Sequence, residues 1–236
     1  MTRWFRAPAA CALALLLVAS APRAAKPARA TLRLDGERTA VSWTDGDSFR
    51  IREGPHRGRT ARVVDYNTLE AYGPVHRWGT WSARELLGVA LAAVPIAASG
   101  EWECTSLGKD DAYGRLLVRC PAAARALVER GNAMVFAIDA APDPALLAAQ
   151  HEAQKARLGM WKGGVPARIL TSVHSAAEGE GYDRLADTRT GTTSVVKPAR
   201  VYATCEEVCR GEGTDRSCMV YVPYERRYRN RPPCLM

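Results

Sequence analysis

After its first thirty residues, this 236-residue chain has no apolar run long enough to span a bilayer as a helix, which takes about 20 consecutive apolar residues. That excludes a helical membrane-embedded body. Histidine is scarce, with four in all. His56, His151 and His174 show no ligand-pair spacing and read as surface or packing residues. His76 is the only one near the candidate site described below, and is expected to pack at a helix start. Nothing in the sequence resembles an element that reads a DNA major groove. Strong positive charge is also missing. The formal charge is +8, but Arg3, Arg6, Arg23, Lys26 and Arg29 lie in residues 1–30, which hold no acidic residue. Without them the charge falls to +3, which permits a polyanionic partner without arguing for one.

Residues 1–30 have the layout of a secretory signal peptide: a basic start, an apolar core over Ala9 to Ala19, and Ala28-Arg29-Ala30 as a small-x-small cleavage site. A cut after Ala25 is the alternative. The expected location is therefore periplasmic or secreted, without stable membrane insertion. Cysteine usage agrees. With Cys11 in the leader, six of seven cysteines remain, an even number suited to an oxidising compartment. Cys104 and Cys120 flank a hairpin-like segment and are expected to pair. Cys205, Cys209, Cys218 and Cys234 would then form two bridges, with three pairings open. A four-cysteine zinc site is the rival, but the C-x3-C-x8-C-x15-C spacing is not that of a zinc knuckle.

The informative stretch runs from Thr44 to Glu70, with a second piece at Asp110–Arg115. Asp45-Gly46-Asp47-Ser48 forms an acidic turn, and Arg62-Val63-Val64 is a short strand leading through a polar bend to Glu70. Carboxylate oxygens suit a hard cation, and a bound metal can polarise a phosphoryl oxygen. Arginine grips phosphate with two hydrogen bonds at once. Taken singly, Asp45 and Asp47 read as a turn and Glu70 as a surface residue; the combination points to phosphodiester chemistry.

Over roughly residues 32–163, the chain resembles the staphylococcal-nuclease-like (thermonuclease) family. Asp45-Gly46-Asp47-Ser48 matches its D-G-D-[ST] element. Arg62, Asn67 and Glu70 match R-x4-D-x2-E, with Asn in place of Asp. Asp111-Ala112-Tyr113-Gly114-Arg115 matches D-x-Y-G-R. Tyr72-Gly73-Pro74 and Glu152-Ala153-Gln154…Trp161 follow in the family's order. The resemblance implies a five-stranded OB-type barrel with three helices, mainly β with packed helices. It implies Asp47 as a metal ligand, Arg62 on the scissile phosphate, Glu70 orienting or deprotonating the attacking water, and Arg115 stabilising charge in the transition state. Asn67 occupies the second metal-ligand position, where it offers an oxygen without a charge. Asp45 is the better-placed substitute, and Asp65 would serve only if its strand continued. Ca²⁺ is the expected ion, with Mg²⁺ or Mn²⁺ possible. Tyr113 and Lys109 are expected to contact substrate.

Short alternating runs at Thr31–Leu34, Ala40–Trp43, Phe49–Arg52 and Arg59–Val64 predict half-buried strands. Helices are predicted over Arg77–Ala98, interrupted at Pro95, over Ala122–Arg130 and over Asp143–Leu158. Strands are predicted at Glu101–Ser106, Leu116–Arg119 and Ala133–Ile138. The expected domains are a signal peptide (1–30), an OB-fold domain (31–163) and a Cys-rich extension (164–236). In the extension, Tyr202–Glu207 reads as a strand or short helix, and tyrosines alternate with arginines. The functional expectation is an exported, monomeric, metal-dependent nuclease acting on DNA or RNA with little sequence preference. The alternatives are a non-catalytic nucleic-acid- or polyanion-binding OB module and an envelope interaction protein.

Overall fold

The computed structural model describes residues 27–71, 75–179, 181–228 and 232–235. Most of the expected signal peptide and the Tyr72-Gly73-Pro74 motif lie outside them. Alternation in the first half builds the barrel wall. Leu32 and Leu34 of β1 (Ala28–Leu34), Val41 and Trp43 of β2 (Glu37–Trp43), and Phe49 and Ile51 of β3 (Ser48–Ile51) turn inward. So do Ala61 and Val63 of β4 (Thr60–Val63). A positive-φ Asp35-Gly36 pair turns β1 into β2, as Asp-Gly does in tight hairpins.

The next strand leaves the wall. Asp65 takes φ 75°, unusual for a non-glycine residue, and its carboxylate accepts Arg119 Nε at 2.6 Å. From this bend β5 (Asp65–Thr68) pairs antiparallel with β9 (Ala133–Phe136) outside the barrel. Asp65 is thereby committed to Arg119 on the outside and is no substitute metal ligand. After β6 (His76–Trp78) and α1 (Ala83–Ala98), the hairpin of β7 (Glu103–Asp110) and β8 (Leu116–Arg119) closes the wall. The barrel order is β1-β2-β3-β4-β8-β7, with parallel β4–β8 and β1–β7 contacts. An OB-type barrel with helices packed on it results. Its wall has six strand segments, because both arms of the β7–β8 hairpin enter it while β9 does not. The Cys104–Cys120 disulfide links β7 to the start of α2 (Pro121–Glu129).

The first helix is shorter than predicted at its start. Ser82 caps α1 in a reciprocal box with Glu85, and His76–Trp78 is drawn into a strand by its distant partner β14 (Ser217–Val220). His76 is therefore a buried strand residue. Pro95 does not interrupt α1. It removes one hydrogen bond in the last turn, while Ala93, Val94 and Ala97 stay buried against the core. Asp143 caps α3 (Pro144–Lys155) through Ala145 N and Leu146 N, as its sequence predicts.

The C-terminal part has its own apolar cluster of Leu170, Val173, Leu185, Tyr202, Val208, Met219 and Tyr221. It contains the sheet β10 (Arg168–Ser172), β11 (Asp183–Asp187), β12 (Thr193–Val196). A second sheet runs β13 (Glu207–Arg210), β14 (Ser217–Val220), β6, and α4 (Tyr224–Tyr228) follows. Tyr202–Glu206 is neither strand nor helix; Cys205 takes φ 71° there. The open pairing resolves as Cys205–Cys234 and Cys209–Cys218, which removes the four-cysteine zinc site. Buried Gln150 ties the two halves, accepting Val135 N at 2.6 Å and donating to Thr188 O at 2.7 Å. Among the described residues no helix is long and apolar enough to cross a membrane.

Candidate active site

The Asp45-Gly46-Asp47 turn joins β2 to β3 and is held on three sides. Thr44 N donates to Ser48 O at 3.0 Å, Asp47 N donates to Asp45 Oδ1 at 3.2 Å, and the buried Tyr66 hydroxyl donates to Gly46 O at 2.8 Å. The glycine is a packing requirement. A Cβ there would lie 2.5 Å from Thr68 Cγ2 and 2.7 Å from Ala93 Cβ, closer than carbon atoms can approach. The turn is thus pressed between β5 and α1, with its second carboxylate fixed.

That carboxylate is the hub. Asp47 Oδ2 accepts Thr68 N at 2.8 Å and Thr68 Oγ1 at 2.9 Å, and Oδ1 accepts Ser48 Oγ at 3.0 Å. Arg62, facing Ser48 across the β3–β4 register, forms an ion pair with Asp47. Arg62 Nη2 also donates to Asn67 Oδ1 at 2.6 Å, and Asn67 Nδ2 donates to Thr68 O at 2.7 Å. The Asp65 bend makes this possible by turning β5 back so that Asn67 and Thr68 face the turn. Asp47, Arg62 and Asn67 are therefore brought together, with Asp45 beside them.

Electrostatics follow from the crowding. Burial works against ionisation of Asp47, but the charge and hydrogen bond of Arg62 dominate and hold it at about 2. Burial, then the charge of Asp47, push Asp45 well above the usual carboxylate range. Two carboxylates that cannot both ionise beside one guanidinium could do so around a divalent ion. The nearby donors, two carboxylates and the Asn67 amide oxygen, are all hard oxygens and fit such an ion. The charge of Glu70 also raises the pKa of Asp45, although among the described residues no three histidine, cysteine or carboxylate ligand atoms gather here within 4.8 Å of one another.

Glu70 lies two residues past β5 and is half-buried. Burial and the charge of Asp47 raise its pKa, while Arg227, Arg62 and Arg115 pull it down. Arg115 is oriented by Asp111, whose Oδ2 accepts its Nε at 2.6 Å and whose Oδ1 accepts Arg115 N and Tyr113 N at 2.9 Å each. The D-x-Y-G-R loop is thus a self-bonded turn that aims one guanidinium. Tyr113 is exposed, with Arg115 stacked on its ring at 5.5 Å. Lys109 is exposed near the end of β7, and among the described residues no hydrogen bond or ion pair joins it to the Asp47 cluster.

Three contributors escape sequence reasoning. Thr68 supplies two donors to Asp47, and only its place after Asn67 hinted at this. Tyr66 fixes the turn from a strand that looked like a bend. Arg227, on α4, reaches the electrostatic neighbourhood of Glu70 across 157 positions of sequence. The alternation of tyrosine and arginine around it was visible; its location was not.

Residues 62–163 match the family model described as Staphylococcal nuclease homologue. The match begins at Arg62, so the Asp45–Asp47 turn precedes it and is tied to it through the Asp47–Arg62 pair. No curated protein matches this chain. With an OB-type barrel around it and the match running from Arg62 past Arg115, the segment that carries Arg62, Asn67, Glu70 and Arg115 is a domain of the staphylococcal nuclease homologue family.

Proposed function

We propose that this chain is an exported phosphodiesterase that hydrolyses the backbone of DNA or RNA with the help of a divalent cation, Ca²⁺ first among candidates. The observation that carries the reading is the convergence of Asp47, Arg62 and Asn67, within the electrostatic reach of Glu70 and Arg115. Asp45, Asp47 and Asn67 would hold the cation, which would polarise a phosphoryl oxygen when bound. Arg115, and Arg62 once substrate has drawn it from Asp47, present guanidiniums to the charge that grows on the non-bridging oxygens as water attacks. Glu70 takes the proton of that water, a role worth a factor of about 10² to 10⁴. The barrel groove suits a single strand with little sequence preference. Three disulfides, Cys104–Cys120, Cys205–Cys234 and Cys209–Cys218, support an oxidising compartment.

The reading that competes is a binding module without catalysis, and one observation favours it. Arg62 is engaged with Asp47 and Asn67 inside the protein, so substrate must draw it away. Cleavage of labelled single-stranded DNA and RNA by the oxidised protein, with EDTA, Ca²⁺, Mg²⁺ or Mn²⁺, separates the two. Metal-dependent cutting that Glu70→Gln abolishes while binding persists supports the enzyme. Binding without cutting under every metal supports the module. Arg62→Lys is the companion variant, because Arg62→Ala would leave Asp47 buried and unpaired.

The leader's end bears on the exported form. β1 begins at Ala28 and pairs Ala28 with Trp43 and Ala30 with Val41. A cut after Ala25 leaves this strand whole, whereas a cut after Ala30 removes three of its seven residues. The mass of the mature protein distinguishes them.

A further inference from the structure

The C-terminal part places an aromatic and a cation against the candidate site from outside the family-matched segment. Tyr224 of α4 stacks on Tyr113 of the D-x-Y-G-R loop, with ring centroids 6.1 Å apart and planes within 15°. Both rings remain largely exposed, at 56% and 61%. Arg115 lies over Tyr113 at 5.5 Å and Arg227 over Tyr224 at 5.9 Å. The order is therefore Arg115, Tyr113, Tyr224, Arg227, half from the barrel and half from α4. Arg227 is anchored: Nε donates to Val222 O at 3.0 Å and Nη2 to Val173 O at 3.2 Å. Its charge is held where it also acts on Glu70. The Cys205–Cys234 disulfide brackets the helix that carries both residues.

Two large exposed rings stacked together gain little from burial, whereas exposed rings flanked by fixed cations are what a single-stranded nucleic acid uses. Bases stack on the rings, and the cations attract the backbone. We propose that Tyr224 and Arg227 extend the site into a subsite for single-stranded nucleic acid, Tyr224 stacking a base beside the scissile phosphate and Arg227 attracting the neighbouring phosphate. This rests on the phosphodiesterase reading and adds to it a substrate contact supplied by the C-terminal part.

The test is fluorescence anisotropy with a labelled oligothymidylate of about a dozen nucleotides, using the oxidised protein in a Glu70→Gln background so that nothing is cut. Tyr224→Ala is expected to weaken binding about fivefold or more, and Tyr224→Phe to bind like its parent. Arg227→Ala should weaken binding by a comparable factor. Arg226→Ala, which removes the same charge from the adjacent exposed position, should change it less than about twofold. An oligonucleotide with abasic sites should erase the Tyr224 effect and keep that of Arg227. Because Tyr224 is exposed, its variants test the proposal even where Arg227→Ala loosens the fold. Equal binding by Tyr224→Ala and its parent overturns the subsite, as does equal loss in Arg226→Ala and Arg227→Ala, which would mark diffuse charge alone. If the wild type cuts but the Tyr224 variants bind unchanged, only the subsite falls. If the wild type neither cuts nor binds, the phosphodiesterase reading falls with it.

Discussion

Replacing His76 by phenylalanine should make the protein less sensitive to acid. His76 sits in β6 with 2% of its surface exposed, and among the described residues neither ring nitrogen has a hydrogen-bond partner. Burial pushes its pKa from 6.5 down to about 4 against an opposing pull from the Leu170 backbone, with no charged side chain contributing. The unfolded chain binds the proton more readily than the folded one. His76 therefore costs nothing above pH 6.5 and destabilises progressively as pH falls from there through about 4. Each tenfold preference is worth about 1.4 kcal/mol. The full penalty is thus about 3 kcal/mol below both pKa values, with about 2 kcal/mol already present at about pH 5. Phenylalanine keeps a ring of similar size without a titrating group. Urea unfolding at about pH 7.5 and about pH 5 should show the wild type losing about 2 kcal/mol more than His76→Phe. Equal losses in both proteins would refute the reasoning, because the ring would then be protonated in the fold at little cost.

Gly46→Ala should destabilise by about 1–3 kcal/mol, seen in thermal melts, with activity falling further than stability because Thr68 and Asp47 must shift together. Asn67→Asp adds a carboxylate to the candidate metal set and should tighten Ca²⁺ about tenfold or more; unchanged affinity by calorimetric titration would remove residue 67 from the ligands. Gln150→Leu should cost about 1–3 kcal/mol in urea unfolding, mainly through Val135 N, since Thr188 O keeps a bond from Gln154 at 2.9 Å.

How far the sequence could be read depended on the range of the interaction. Barrel strands announce themselves through alternation, as in Val41 and Trp43 or Phe49 and Ile51, because one buried face is a local property. The Asp143 cap was equally readable. What failed had a distant cause. His76–Trp78 looked like the start of a helix because β14, which makes it a strand, lies about 140 positions away. Ala133–Phe136 was a strand, but nothing local said that it would leave the wall for β5. At the site, the residue types and their order pointed to Asp47, Arg62 and Glu70, whereas the Arg62–Asn67 bond depends on the Asp65 bend, which no pattern predicts. The tail cysteines left three pairings open for the same reason, since pairing is decided by strand register.

The position of β6 governs what can be cut away. Its pairing edge is covered by β14, and Arg77 is paired with Glu207 of β13. A chain ending at Gly163 would keep every residue of the barrel wall yet expose an unpaired strand carrying His76 and Trp78, side chains that are now buried. Such an edge templates association with other chains. Because the strand that covers it lies about 140 positions further along the chain, the nascent protein carries that open edge until β14 has emerged, so completing β6 is tied to forming the β13–β14 hairpin.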